Sequence, residues 1–197
     1  MRARLCSRNP HKLSELRASL PGWELALLDV DHYPPEVGAT YLDNARAKAA
    51  FGHAHAPAGE WVLGEDSGIE AAALGGRPGI ESARWAEDGV AALLEALAGA
   101  TDREARYVCG LVALGPAGEE LHCTGTLGGE VAAAPRGEEG FGYDPIFVPV
   151  GETRTVAELG DAWKARHSHR ARAAAELDVL TRARRSPPPR GRSGATS

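Results

Sequence analysis

The strongest constraint on this chain is a change of rhythm near its middle. Over the first hundred residues short apolar runs alternate with segments of helical period. From Glu104 onward two long extended runs stand back to back instead. Residues 2–7 (RARLCS) read as a first strand. In the segment that follows, Asn9 is placed to cap a helix, Pro10 suits its first position, and Leu13, Leu16 and Leu20 recur on one face until Gly22. A second strand is expected over 23–30 and a Pro34-Pro35 loop over 31–39. Thr40 then caps a helix over 41–56. Residues 61–67 (WVLGEDS) predict a buried strand with a polar end that breaks at Gly68, with 69–74 extended again and 75–79 a loop. Asp88 caps a helix through Ala98. Residues 104–115 and 119–131 predict a hairpin across Pro116-Ala117-Gly118. A helical turn at 155–159 and a helix over most of 161–182 complete the pattern. Alternation followed by a hairpin block predicts an α/β fold, with a mixed central sheet flanked by helices.

At 197 residues, one domain is expected over 1–182, followed by an Arg- and Pro-rich disordered tail over 183–197. No apolar run approaches the roughly 20 residues of a membrane span, and Met1-Arg2-Ala3-Arg4 is no signal peptide. The expectation is a cytoplasmic protein with no membrane partner. Cys6, Cys109 and Cys123 form no C-x-x-C pair, so neither a disulfide framework nor a thiolate zinc site is expected. The net charge of −5 divides into −11 over residues 1–160 and +6 over 161–197. An acidic body argues against a general nucleic-acid binder and suits a site that handles an anion with a metal beside it.

Five stretches carry polar chemistry. In Ser7–Lys12 (SRNPHK) a loop enters a helix, where backbone N–H groups and the dipole favour phosphate; taken alone the segment reads better as an ordinary cap with a solvated lysine, and no Walker A loop exists in the chain. Asp43 stands near a helix N-terminus, and Asn44 and Lys48 share a face at i, i+4. Glu65 and Asp66 are adjacent carboxylates at an expected strand end, where repulsion calls for a cation and hard oxygen ligands suit Mg²⁺. Lys164, Arg166, His167, His169 and Arg170 crowd eight residues; on one helix they would spread around the axis, and neither His167/His169 nor His53/His55 has the spacing of a zinc site. Finally, residues 140–147 (GFGYDPIF) place Phe141, Tyr143 and Asp144 on a glycine-rich frame, which suits a planar ligand gripped by a ring and a carboxylate. Acids for a metal, cations for phosphates and an aromatic-acid turn together point to nucleotide phosphate chemistry.

In this order the motifs SRNPHK, DNARAKA, EDSGIEAAALGGRPGIESARW, FGYDPIF, TVAE and KARHSHR resemble the inosine triphosphate pyrophosphatase family over nearly all of residues 3–180. The resemblance implies two lobes around an active-site cleft, a homodimer, and Mg²⁺-dependent hydrolysis of ITP, dITP or XTP to the monophosphate and pyrophosphate. Carried over position by position, it implies Asp66 as proton acceptor with Glu65 assisting, and Asp43 and Asp66 as Mg²⁺ ligands, one ion or more per subunit. Ser7, Arg8, Asn9, Lys12, Ser67 and Lys164 would hold phosphates. Phe141, Gly142, Tyr143, Asp144, His169 and Arg170 would hold the base, with His169 and Arg170 donating to a 6-oxo group. The chain departs from the family pattern at Ser7 for Thr, Asp43 for Glu, Glu65 for Asp, Val156 for Phe, and at Ala165 and His167 for Asn and Ile. Rival readings are a related nucleotide pyrophosphatase of different base preference, separable by a substrate panel, and a non-enzymatic nucleotide- or nucleic-acid-binding module using Arg166, Arg170 and the tail, separable by salt-sensitive binding.

Overall fold

The computed structural model describes residues 1–185. Six strands form one mixed sheet in the order β2-β1-β3-β4-β5-β6. These are β1 (Arg2–Leu5), β2 (Glu24–Leu27), β3 (Trp61–Ala71), β4 (Glu104–Leu114), β5 (Glu120–Val131) and β6 (Phe147–Pro149). The helices are α1 (Pro10–Ser19), α2 (Tyr41–His53), α3 (Gly89–Ala96), α4 (Val156–Leu159), α5 (Asp161–His167) and α6 (His169–Arg185). Caps fall where the sequence places them: Asn9 accepts from the His11 and Lys12 amides, Thr40 from Asp43, and Asp88 from Ala91. The mixed sheet matches the α/β expectation.

β3 is the seam of the molecule. It runs parallel to β1 over Trp61–Leu63 and antiparallel to β4 from Val62 to Ala71. The expected break at Gly68 does not occur, since Gly68 pairs with Val108 inside the ladder. Glycine is there because a 3-10 turn over Gly79–Arg84 packs on the strand, and a Cβ would strike the Gly79 carbonyl. Glu65 and Asp66 therefore lie in mid-strand, just past the end of β1, where the parallel half of the sheet opens.

The two faces of β3 pack against different helices. Leu63 joins a core with Leu13, Leu16 and Leu20 of the α1 segment and Ala173, Ala174 and Leu177 of α6. Ile69 and Ala71 join a second core with Tyr107, Tyr143, Phe147 and Val156. Between these two apolar clusters the same strand presents Glu65 and Ser67, so a polar cleft divides the layer. On the other face α2 lies close, with Ala45 and Ala49 buried and Gly64 beneath them. A Cβ at Gly64 would fall on the Ala45 carbonyl. That close approach brings Asn44 and Lys48 within reach of Asp66.

The terminal helix expected over 161–182 is two helices. Ser168 is extended (φ −62°, ψ 160°), closes α5 and accepts the Ala171 amide at 3.1 Å to open α6. The bend collects Lys164, His169 and Arg170 in one cleft instead of spreading them around one axis. α6 continues to Arg185, three residues past the expected boundary, and the rest of the expected tail, 186–197, lies outside the described residues. Among the described residues no helix is long and apolar enough to cross a membrane, and the three cysteines are free and buried.

Candidate active site

Successive residues of a strand point to opposite faces, and Glu65 and Asp66 use this to serve two environments. Glu65 is fully buried. Its Oε2 lies 2.6 Å from Lys12 Nζ, and its Oε1 accepts from Arg170 Nε at 2.9 Å. Burial pushes its carboxyl up, but Arg170, Lys12 and Lys48 outweigh burial and hold it well below the usual carboxylate range. From Arg170 the ion pairs continue inward. Its Nη1 meets Glu15 Oε2 at 2.5 Å, Glu15 Oε1 meets Lys164 Nζ at 2.5 Å, and Lys164 donates to Asp144 Oδ2 at 2.6 Å. Tyr107 closes the chain by donating to Asp144 Oδ1 at 3.2 Å. Three cations and three carboxylates thus alternate through the cleft, each desolvated charge matched by another.

Asp66 faces α2. Asn44 Nδ2 donates to its Oδ2 at 2.9 Å, and Lys48 Nζ lies 3.3 Å from its Oδ1. Lys48 also donates to the Glu65 carbonyl at 3.0 Å and pairs with Glu36, which Arg84 Nη1 reaches at 3.2 Å. Burial raises the Asp66 carboxyl, Glu36 and Glu65 add to this, and Lys48 and Asn44 only partly offset it. Two neighbouring acids are thereby pushed in opposite directions, the arrangement by which one fold separates a permanent anion from a proton acceptor. The carboxylates of Asp66 and Glu36 and the Glu65 carbonyl converge on one ammonium. Oxygen donors gathered around a point cation suit a hard divalent ion. Among the described residues no group of three His, Cys, Asp or Glu side chains is placed to enclose a metal. Mg²⁺ is commonly held by one or two carboxylates plus substrate phosphates, and one or two are what this face offers.

On the Glu65 face a pocket of about 240 Å³ opens between the two apolar cores. Asn9, Lys12, Phe141, Tyr143, Lys164 and His169 are among its lining residues. Gly140, at φ +79°, turns the chain so that the Phe141 amide donates to Asp144 Oδ2 at 2.8 Å. Lys164 Nζ lies 4.5 Å from the Phe141 ring centroid, a cation–π contact. Tyr143 donates its hydroxyl to the Ser82 carbonyl at 2.9 Å and so ties this segment to the turn after β3. His169 is buried and stacks on Tyr107, centroids 4.6 Å apart and planes at 11°. Burial first, then Arg170, drives its pKa well down, so the ring is neutral; its Nδ1 has no hydrogen-bond partner among the described residues.

Many of the expected residues lie about these two faces of β3, and four points of placement differ from the expectation. Asp43 is exposed, and its carboxylate accepts the Thr40 amide at 3.0 Å in a capping box; it makes no hydrogen bond or ion pair with Asp66, and Glu36 is the second carboxylate at Lys48. Arg8 is exposed and lies over Tyr33, donating to the Asp31 carbonyl, and is not among the residues lining the pocket. Ser7 accepts the Asn9 amide, and Asn9 in turn occupies the His11 and Lys12 amides, so with Pro10 lacking a donor the entry of α1 presents the side chains of Asn9 and Lys12 to the pocket. Three of the five Arg170 donors serve Glu65, Glu15 and Ser67, and both Asp144 oxygens serve protein donors. Ser67 and Gly142 line the pocket as expected. Glu15, Glu36, Asn44, Lys48, Tyr107 and Ser82 were not among the expected site residues. The signals were present for some: Glu15 stands three residues after Lys12 on α1, and Asn44 and Lys48 share a face.

A family model described as the Ham1 family matches residues 3–179. The dITP/XTP pyrophosphatase of Gloeobacter violaceus is 43% identical over 178 residues, covering 88% of this chain and 90% of its own. That of Mycobacterium tuberculosis is also 43% identical, over 88% of this chain and 91% of its own. The solved structure of the Staphylococcus aureus Ham1 protein superposes with a TM-score of 0.81 at 34% identity, over 93% of this chain and all of that one. On the family match, these identities and the shared fold, the chain belongs to the Ham1 family.

Proposed function

We propose that the protein hydrolyses non-standard purine nucleoside triphosphates such as dITP, ITP and XTP to the monophosphate and pyrophosphate. The observation that carries this reading is the pairing of a base-sized pocket with the Asp66–Glu36 carboxylates on the opposite face of one strand. The names of the relatives support it.

In this reading the base lies against Phe141, and the neutral His169, which lines the pocket, stands at the base edge. Asp144 acts by aiming Lys164 and Tyr107 rather than by touching the base. Donors facing position 6 suit a 6-oxo group, which accepts from them; the amino group of adenine would oppose donor to donor, and each unpaired buried group costs about 1–3 kcal/mol. Lys12 and Lys164 hold the phosphate tail, and Glu65 keeps Lys12 and Arg170 in place. Asp66 and Glu36, rather than Asp43, would hold Mg²⁺, with Lys48 moving to phosphate oxygens. When bound, Mg²⁺ supplies charge neutralisation for the polyphosphate and a more acidic water. Asp66, whose raised pKa suits a proton acceptor, orients the attacking water toward the α-phosphorus and takes its proton. The resemblance adds a cytoplasmic homodimer, which sedimentation would test.

The decisive experiment is a panel of nucleoside triphosphates with Mg²⁺, reading pyrophosphate and orthophosphate separately. Pyrophosphate from dITP, ITP and XTP, with little from ATP, is expected. Orthophosphate alone would reject cleavage at the α-phosphorus, and equal rates on pyrimidine and purine substrates would reject the base assignment.

A further inference from the structure

We propose that His11 is a positioning residue for the nucleobase: its imidazole backs the Phe141 ring and fixes the platform on which the base lies. The inference rests on the reading of the pocket given above. The two rings stack with centroids 5.2 Å apart and planes at 26°. Phe141 lines the pocket; His11 is exposed and is not among the lining residues. The cations that approach the Phe141 ring, Lys164 at 4.5 Å and the Arg170 guanidinium at 5.5 Å, are lining residues. Among the described residues, His11 is therefore the ring partner of Phe141 that is not itself part of the pocket wall.

The two partners differ in how firmly they are held. Phe141 sits between Gly140 and Gly142, whose φ values of +79° and +62° belong to a segment with little intrinsic stiffness. Its amide is tied to Asp144, and the segment belongs to no helix or strand. His11 stands in the first turn of α1, with its amide held by Asn9 Oδ1 at 2.9 Å. A rigid helix end thus presents a flat side chain to a ring on a compliant loop. An aromatic platform already ordered before the base arrives binds it without the entropy cost of ordering it then. The same first turns of α1 carry Lys12 and Glu15, so one helix sets both the phosphate cation and the base platform.

The test compares wild type, His11→Ala and His11→Phe, measuring kcat and KM for dITP together with inhibition by tripolyphosphate, a probe without a base. The Ala variant is expected to raise KM about two- to tenfold, the range of one aromatic pair, with kcat and tripolyphosphate inhibition unchanged. The Phe variant is expected to restore KM, because it keeps the stack without the imidazole. An unchanged KM in His11→Ala overturns the proposal. So does a parallel loss of tripolyphosphate inhibition, which would show His11 acting through the helix end and Lys12, or a failure of Phe to restore KM. A wild-type enzyme that does not turn over dITP would reject the reading of the pocket and the proposal with it, an outcome distinct from failure in the variants alone.

Discussion

The two faces of β3 solve the same problem in opposite ways. Glu65 and Asp66 are consecutive, both buried, and differ in side chain by one methylene. On one face Glu65 meets Lys12 and Arg170 directly and is held as an anion. On the other, Asp66 meets one ammonium shared with a second carboxylate, and burial dominates. What separates a scaffold charge from a reactive one here is the ratio of cations to carboxylates around it, not burial. Substitutions on the two faces should therefore have sharply different consequences.

Asp66→Asn should give the largest effect. Loss of a proton acceptor and cation ligand is expected to lower kcat by a thousandfold or so, measured as pyrophosphate release. Thermal stability should hold or rise, because the ionised Asp66 carries a burial cost in the fold. A raised pKa means that this cost is absent below the unfolded value and fully present above the folded one, so neutral pH is where the substitution relieves it. An Asp66→Asn enzyme that keeps its activity would remove Asp66 from the chemistry.

Glu65→Gln should reverse that pattern. It strands Lys12 and Arg170 beside a neutral amide, and breaking buried pairs costs about 3–5 kcal/mol. For a chain of this size that is a fall in Tm of roughly 10 °C. The pH dependence carries the sign: a depressed pKa supplies stability above the unfolded value near 4.3 and loses it as pH falls through the folded value. The stability gap between wild type and Glu65→Gln should therefore narrow below about pH 4, read by thermal melts at each pH. A gap that widens in acid would reverse the assignment of Glu65 as the held anion.

How much of this was legible in advance depends on what each residue needs from the rest of the chain. Asp66, Lys12, Phe141 and Lys164 belong to short motifs with characteristic order; the structure gathers Lys12, Phe141 and Lys164 in the cleft and sets Asp66 on the opposite face of β3. Asn44 and Lys48 were visible as a helix-face pair, but nothing local says which face meets the sheet; that is settled by Gly64 and Ala45 across a close contact. Glu36 lies in a loop without periodicity, so only the folded chain brings it to Lys48. The bend at Ser168 had a local signal, a serine in capping position, masked by helix-favouring residues on both sides.

Glu36→Gln tests the Asp66 face more gently. One of two carboxylates at the shared cation is lost while Asp66 remains. The Mg²⁺ concentration for half-maximal rate should rise about ten- to a hundredfold, with the fold intact, and Mn²⁺ binding followed by electron paramagnetic resonance should weaken in step. The range is that for disturbing a metal site without removing its main ligand. Unchanged Mn²⁺ binding would leave Glu36 as a partner of Lys48 and Arg84 only.

The smallest effect should come from Asp43→Asn, and its size discriminates most finely. The carboxylate of Asp43 is exposed at the N-terminus of α2 and accepts the Thr40 amide. Asparagine keeps an oxygen for that bond and loses only a favourable charge near the helix dipole, worth about 0.3–1 kcal/mol at such a site. A shift in Tm of a few degrees at most is expected, falling further in added salt because the lost term is a screened surface charge. kcat and Mg²⁺ dependence should stay at the wild-type level. If Asp43→Asn instead raised the Mg²⁺ requirement as strongly as Glu36→Gln, the capping box would have to open during turnover. The Asp66 face of β3 would then draw its second metal ligand from the start of α2 rather than from the loop before it.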